Sequence, residues 1–137
     1  MKAHNKFKSI ILIDDEKAIN YYHQYMIKNL GIAEHVLILQ NVDDVPPSLK
    51  MFLQQEDIFP SILFIDLRMP KYNGFELIEK YQELFQALKD KNIPIIMLTT
   101  SDHPQDVSNA VASSIINEYH QKPMTEEMLL SLVETYA

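Results

Sequence analysis

Five residues able to do chemistry stand at or just past the ends of runs that read as strands in this chain. Asp14 and Asp15 follow Ile10-Ile11-Leu12-Ile13, and Asp66 follows Ile62-Leu63-Phe64-Ile65. Thr99 follows Ile95-Ile96-Met97-Leu98, and Lys122 comes soon after Ile115–His120. Carboxylates brought together repel, which raises their pKa values or recruits a cation. The chain has no cysteine and no histidine beside these positions, so the donors are all oxygen, and the ion that suits them is Mg²⁺. A divalent ion with a lysine ammonium receives a phosphoryl group, and a hydroxyl such as that of Thr99 can donate to a further phosphoryl oxygen. A carboxylate held there can itself be the nucleophile, giving an aspartyl phosphate.

For these residues to meet, the apolar runs must be parallel strands whose carboxyl ends share one edge, where such sheets bind ligands. Ser9 to Ile13 reads as a first strand buried on both faces. From Lys17 to Leu30 the pattern turns helical, with Ile19, Tyr22, Met26, Ile27 and Leu30 on one stripe and Gly31 just past the end. Val36 to Leu39 is a second strand and Asn41 to Asp44 a loop. Pro46 and Pro47 then open a short helix through Leu49, Phe52 and Leu53. Pro60 breaks the chain before a third strand, Ile62 to Ile65. After the turn signal Asn73-Gly74, the series Phe75, Leu77, Ile78, Tyr81, Leu84, Phe85 and Leu88 predicts one long helix ending near Asp90. Ile93 to Leu98 is a fourth strand, running out into Thr99-Thr100-Ser101. Asp102-His103-Pro104 caps a fourth helix with Val107, Ala110 and Val111 inward, and Ile115 to His120 is a fifth strand. Thr125 caps a fifth helix that buries Met128, Leu129, Leu132 and Val133. Five strands alternating with five helices predict a doubly wound α/β sandwich, (βα)5, with a five-stranded parallel sheet between two helical layers.

At 137 residues the chain is expected to be one domain, residues 1–137, with residues 1–8 a flexible basic tail around Lys2, Lys6 and Lys8. It is 47% hydrophobic, too apolar for disorder, yet its longest apolar runs are of four or five residues, so membrane insertion is not expected. No secretory signal opens the chain and no cysteine can form a disulfide, so the expected location is cytoplasmic. A net charge of −7 with scattered basic residues argues against direct nucleic-acid binding.

From about Ser9 to its end the chain resembles a response-regulator receiver domain of the chemotaxis-receiver type. The residues that carry the resemblance are Asp14-Asp15, Asp66 with Met69-Pro70 and Asn73-Gly74 downstream, Thr99, Tyr119 and Lys122-Pro123. It implies a flavodoxin-like fold with strand order 2-1-3-4-5. It further implies that Asp66 is the phospho-acceptor, that Lys122 and Thr99 assist it, and that Thr99 and Tyr119 form a switch. Mg²⁺ would be held by Asp15, Asp66 and the backbone carbonyl of Arg68, with Asp14 acting through water, and the Lys122–Pro123 bond would be cis. The implied donor is a phosphohistidine on a histidine kinase or histidine phosphotransfer protein. The implied output is a downstream protein bound by the face of the fourth helix, fifth strand and fifth helix, from a monomer or a phosphorylation-dependent dimer. Such a receiver is not an enzyme on other substrates, since it catalyses only its own phosphorylation and dephosphorylation. The stand-alone type, without a DNA-binding domain, is expected to act by protein contact or onward phosphotransfer.

Other readings compete. Asp14-Asp15-Glu16 would suit any helix N-terminus, but a purely structural account needs four coincidences at one edge of the sheet. A receiver-fold scaffold independent of phosphorylation would bind its partner without Asp66. A phosphatase of the haloacid-dehalogenase type wants a second aspartate where Arg68 stands, and a flavin protein wants a phosphate-binding loop where Asp14-Asp15-Glu16 would repel one. His23, His35 and His120 read as ordinary half-exposed residues. The chain departs from the family in a long Asp15-to-Asp66 spacing, a long third-helix region, and Val111-Ala112-Ser113-Ser114 where a glycine is usual. Thr100 is expected to narrow access to Asp66, and Arg68 to reach over the phosphoryl site.

Overall fold

The computed structural model describes residues 6–55, 57, 61–100 and 103–137. Five strands, β1 Phe7–Ile13, β2 Ala33–Leu39, β3 Ser61–Asp66, β4 Ile95–Thr99 and β5 Glu118–Gln121, form one parallel sheet in the order β2-β1-β3-β4-β5. Among the described residues six α-helices connect and cover it: α1 Lys17–Leu30, α2 Val45–Leu53, α3 Gly74–Lys80, α4 Gln82–Asp90, α5 Pro104–Ala112 and α6 Glu126–Tyr136. The doubly wound parallel architecture and its strand order are as expected.

Each face of the sheet carries its own apolar cluster. Ile11, Ile13, Leu63, Ile65, Ile95 and Met97 pack under α2, α3 and α4. Ile10, Leu12, Ile62, Phe64, Ile96 and Leu98 pack under α1 and α6. Alternate residues of one strand feed opposite clusters, which is why β1, β3 and β4 read as unbroken apolar runs rather than alternating ones.

Several local expectations are corrected. Phe7 lies in β1, not in a tail: it is buried and its N–H donates to the Ile32 carbonyl at 2.8 Å. Lys8 also lies in β1, and residues 1–5 of the expected tail lie outside the described residues, as do Pro60, Ser101 and Asp102. The segment Val42–Asp44 is a short 3-10 turn, because the Asn41 side chain accepts from Asp43 N–H at 2.9 Å. The expected long third helix is two, broken at Tyr81 (φ −115°, ψ 41°). Leu77, Ile78, Phe85 and Leu88 face the same cluster across the break, so apolar periodicity runs through it unchanged. Ile115 and Ile116 are buried but unpaired: the Ser113 hydroxyl takes their N–H groups, and β5 starts only at Glu118.

The helical stripes are also rephased. α1 buries Asn20, His23 and Ile27, while Tyr22 is 47% exposed. Of the residues expected inward on α5 only Ala110 is buried, and Val111 is 79% exposed. α6 follows its pattern, with Thr125 Oγ1 accepting from Met128 N–H and Leu129, Leu132 and Val133 buried.

Two glycines have distinct jobs. Gly31 adopts φ 64° and closes α1, its N–H reaching the Ile27 and Lys28 carbonyls. Gly74 permits a close approach: a Cβ there would lie 2.8 Å from Met97 Cε and 3.0 Å from the Asp66 carbonyl oxygen. α3 can therefore start directly against the end of β3, with Asn73 and Glu76 forming a capping box. Gly74→Ala is expected to cost about 1–3 kcal/mol by overpacking, measurable by urea unfolding. Unchanged stability would show that Met97 and the loop yield freely.

Candidate functional site

Register brings the chemical residues together. Ile13 pairs with Ile65, Asp66 with Leu98, and Thr99 with Gln121, so Asp14, Asp66, Thr99 and Lys122 emerge at one level of the sheet's carboxyl edge. Backbone bonds fix that level: Leu67 N–H donates to the Leu98 carbonyl at 2.9 Å, and Lys122 N–H to the Thr99 carbonyl at 2.8 Å.

The Lys122 ammonium lies 3.0 Å from Asp14 Oδ2, 3.2 Å from Asp66 Oδ1 and 3.6 Å from Glu16 Oε1. Its side chain, those of Asp14 and Asp66, and the whole of Thr99 are buried, while Asp15 is exposed. Asp14 Oδ1 accepts from Glu16 N–H at 3.0 Å, and Asp66 Oδ1 from Arg68 N–H at 3.4 Å. The Lys122–Pro123 peptide is cis. Tyr119 is half-buried against the cluster under α2, α3 and α4.

Burial, reinforced by the neighbouring Asp14 charge, pushes the Asp66 carboxyl up to about 6, against the pull of Lys122. Burial also raises Asp14, opposed by the Glu16 N–H and by Lys122. Burial alone would lower Lys122, but its bond to Asp14 and the charges of Asp14 and Asp66 raise it. Asp14, Asp15 and Asp66 each offer a carboxylate oxygen, and these atoms lie within 4.8 Å of one another. Asp14, Asp15 and Asp66, with Glu16 also near the ammonium, outnumber the one lysine, so the site is net negative. The donor set is hard, all oxygen and negative, and it fits a divalent cation of the Mg²⁺ class.

A sequence model of the response regulator receiver domain matches residues 10–134. The chain belongs to that family. Response regulator Rcp1 of Synechocystis sp. is 32% identical over 108 residues, covering 75% of this chain and 69% of its own. A chemotaxis protein CheY homolog of Campylobacter jejuni is 27% identical, covering 91% of this chain and 88% of its own. Among solved structures, a two-component response regulator from Cytophaga hutchinsonii superposes with a TM-score of 0.85 at 30% identity, over 96% of this chain and 98% of that one. The Mn²⁺-bound form of Rcp1 superposes with a TM-score of 0.64 at 28% identity, over 93% and 90%.

Two expectations about neighbours of this receiver site are corrected. The Arg68 guanidinium pairs with Asp106 in the first turn of α5. That exposed ion pair, rather than the space over Asp66, is where its charge is satisfied. His23 is not half-exposed: it is 2% exposed, and its Nε2 accepts from Met124 N–H at 2.9 Å. Burial, and then the Lys122 charge, lower its pKa to about 4. Beside it, Asn20 Nδ2 donates to the Asp14 carbonyl at 2.8 Å. The apolar stripe expected on α1 leaves Asn20 out and His23 half-exposed. The available signal was two polar residues spaced three apart and in step with Ile27, which is the phase of a buried stripe.

The raised Asp66 pKa carries a sign. Its ordinary value is 3.8 and its folded value about 6, so at high pH the folded state holds a carboxylate that the unfolded chain solvates better. In metal-free buffer Asp66→Asn is expected to be about 3 kcal/mol more stable than wild type near pH 8, the advantage shrinking as pH falls from about 6 to about 4. Urea unfolding across that range checks it. A wild type at least as stable as the variant at pH 8 would show that Lys122 fully offsets the burial.

Proposed function

We propose that this receiver takes a phosphoryl group from a phosphohistidine, on a histidine kinase or histidine phosphotransfer protein, onto the Asp66 carboxylate. The observation that carries the reading is a buried Asp66 held 3.2 Å from the Lys122 ammonium beside Asp14 and Asp15. In the transfer, an Asp66 oxygen attacks phosphorus, the P–N bond breaks, and the imidazole leaves with the electron pair and takes a proton. Lys122 faces the charge on the transferring group. Hydrolysis later returns the carboxylate and inorganic phosphate as a water oxygen replaces the Asp66 oxygen at phosphorus. The protein thus catalyses only its own phosphorylation and dephosphorylation.

Asp14, Asp15, Asp66 and the Arg68 backbone carbonyl would hold Mg²⁺, Asp14 through water. When bound, the ion supplies positive charge to the phosphoryl oxygens. The Mn²⁺-bound state of the similar Rcp1 supports a divalent ion in this family. Thr99, buried and next to Asp66 across the ladder, is assigned to the phosphoryl group's remaining oxygen, and Tyr119 to the switch that follows. The output face is that of α5, β5 and α6, where Val107, Val111 and Leu130 are exposed for a downstream protein. Among the described residues no helix is long and apolar enough to cross a membrane, in keeping with the cytoplasmic location proposed for it.

Acetyl phosphate with Mg²⁺ is expected to add one phosphoryl mass to the wild type and none to Asp66→Asn, and chelation is expected to abolish the reaction. Intact mass spectrometry reads the result. A wild type that binds Mg²⁺ yet is never modified would replace this reading with that of a phosphorylation-independent scaffold.

A further inference from the structure

We infer that Asn20 and His23, on the buried stripe of α1, are positioning residues that set the separation of Asp14 and Lys122; the inference rests on the phosphoryl-transfer reading. Topology leaves a gap that something must close. β1 and β5 are separated in the sheet by β3 and β4, so no ladder bond fixes the end of β1 against the end of β5. Yet Lys122 must meet Asp14 at 3.0 Å and Asp66 at 3.2 Å.

α1 closes the gap from behind. Asn20 Nδ2 donates to the Asp14 carbonyl at 2.8 Å, and one turn on His23 Nε2 accepts from Met124 N–H at 2.9 Å. Both side chains belong to residues that are 2% exposed. Residues three apart on a helix keep a fixed spacing, so α1 acts as a strut between the loop after β1 and the loop after β5. A backbone N–H can only donate, so Nε2 is the acceptor and the proton of the neutral ring sits on Nδ1. Only Pro123, whose ring fixes φ, separates the anchored Met124 from Lys122. Asn20 holds its post at a cost, since its Oδ1 is buried with no partner among the described residues. A side chain kept only for packing would not carry that cost.

The test uses the full chain and acetyl phosphate. In ¹⁵N-labelled wild type, His23 is expected as the Nδ1-protonated tautomer, with a scalar coupling from Nε2 to the Met124 amide nitrogen. In saturating Mg²⁺, His23→Leu, which fills the space but cannot accept, is expected to slow phosphorylation about tenfold. His23→Gln, whose Oε1 can accept, should recover to within about twofold of wild type. Mg²⁺ affinity rests on the carboxylates and should stay within about twofold in both variants. Asn20→Ala cuts the same strut at its other end and is read the same way should His23→Leu not fold. An Nε2-protonated His23, or variants that lose thermal stability while phosphorylating at the wild-type rate, overturn the inference and leave the receiver reading standing. A wild type that takes no phosphoryl group overturns both.

Discussion

The Lys122 ammonium, caught between Asp14 and Asp66, is the contact on which the rest of the structure depends. Two carboxylates so close in a buried site repel, and a hydrogen-bonded cation makes their joint ionisation tolerable. To place that cation, the chain must bring four strand ends to one level. Lys122 ties all four: its backbone N–H is bound to the end of β4, and its side chain reaches the ends of β1 and β3 from the end of β5. Strand order 2-1-3-4-5 puts β1 and β3 side by side, which is what lets one ammonium serve both carboxylates.

The arrangement is a net cost to folding. Burial raises both Asp14 and Asp66 despite the lysine, so the site holds negative charge that water would solvate better. Two apolar clusters, one on each face of the sheet, offset this. Every strand residue directly before the site, from Ile10 to Ile13 and from Ile62 to Ile65, is buried. The electrostatic strain is thus confined to the sheet's carboxyl edge, and the stiffness needed to bear it comes from the strands immediately behind.

Strands and acidic site were legible in the sequence for a simple physical reason. A parallel strand buried on both faces is an apolar run, and a run that stops at a polar residue marks a strand end. Asp14, Asp66 and Thr99 are each legible that way. Lys122 was less direct, since β5 is four residues with no apolar run of its own, and the isoleucines that mimic one lie just before it. Asn20 and His23 were not legible because an apolar count treats polar residues as outward. They face inward, and what makes that affordable is backbone from two loops remote in sequence. The break at Tyr81 was hidden for the opposite reason: side chains on both sides of it serve one cluster, so the periodicity never falters.

The two sides of the site differ in stiffness. Behind it, Asp14 and Met124 are held by buried side chains of α1, where losing a partner strands a polar group and costs the full desolvation. In front, the loops are linked by exposed ion pairs, Arg68 with Asp106 and Lys71 with Asp43. Such pairs are worth about 0–1 kcal/mol. A change of charge at Asp66 therefore meets a rigid wall toward α1 and a soft one toward Arg68, and Arg68 is bound to α5. The path from Asp66 to α5 thus runs through an exposed ion pair, and the path to α1 through buried hydrogen bonds.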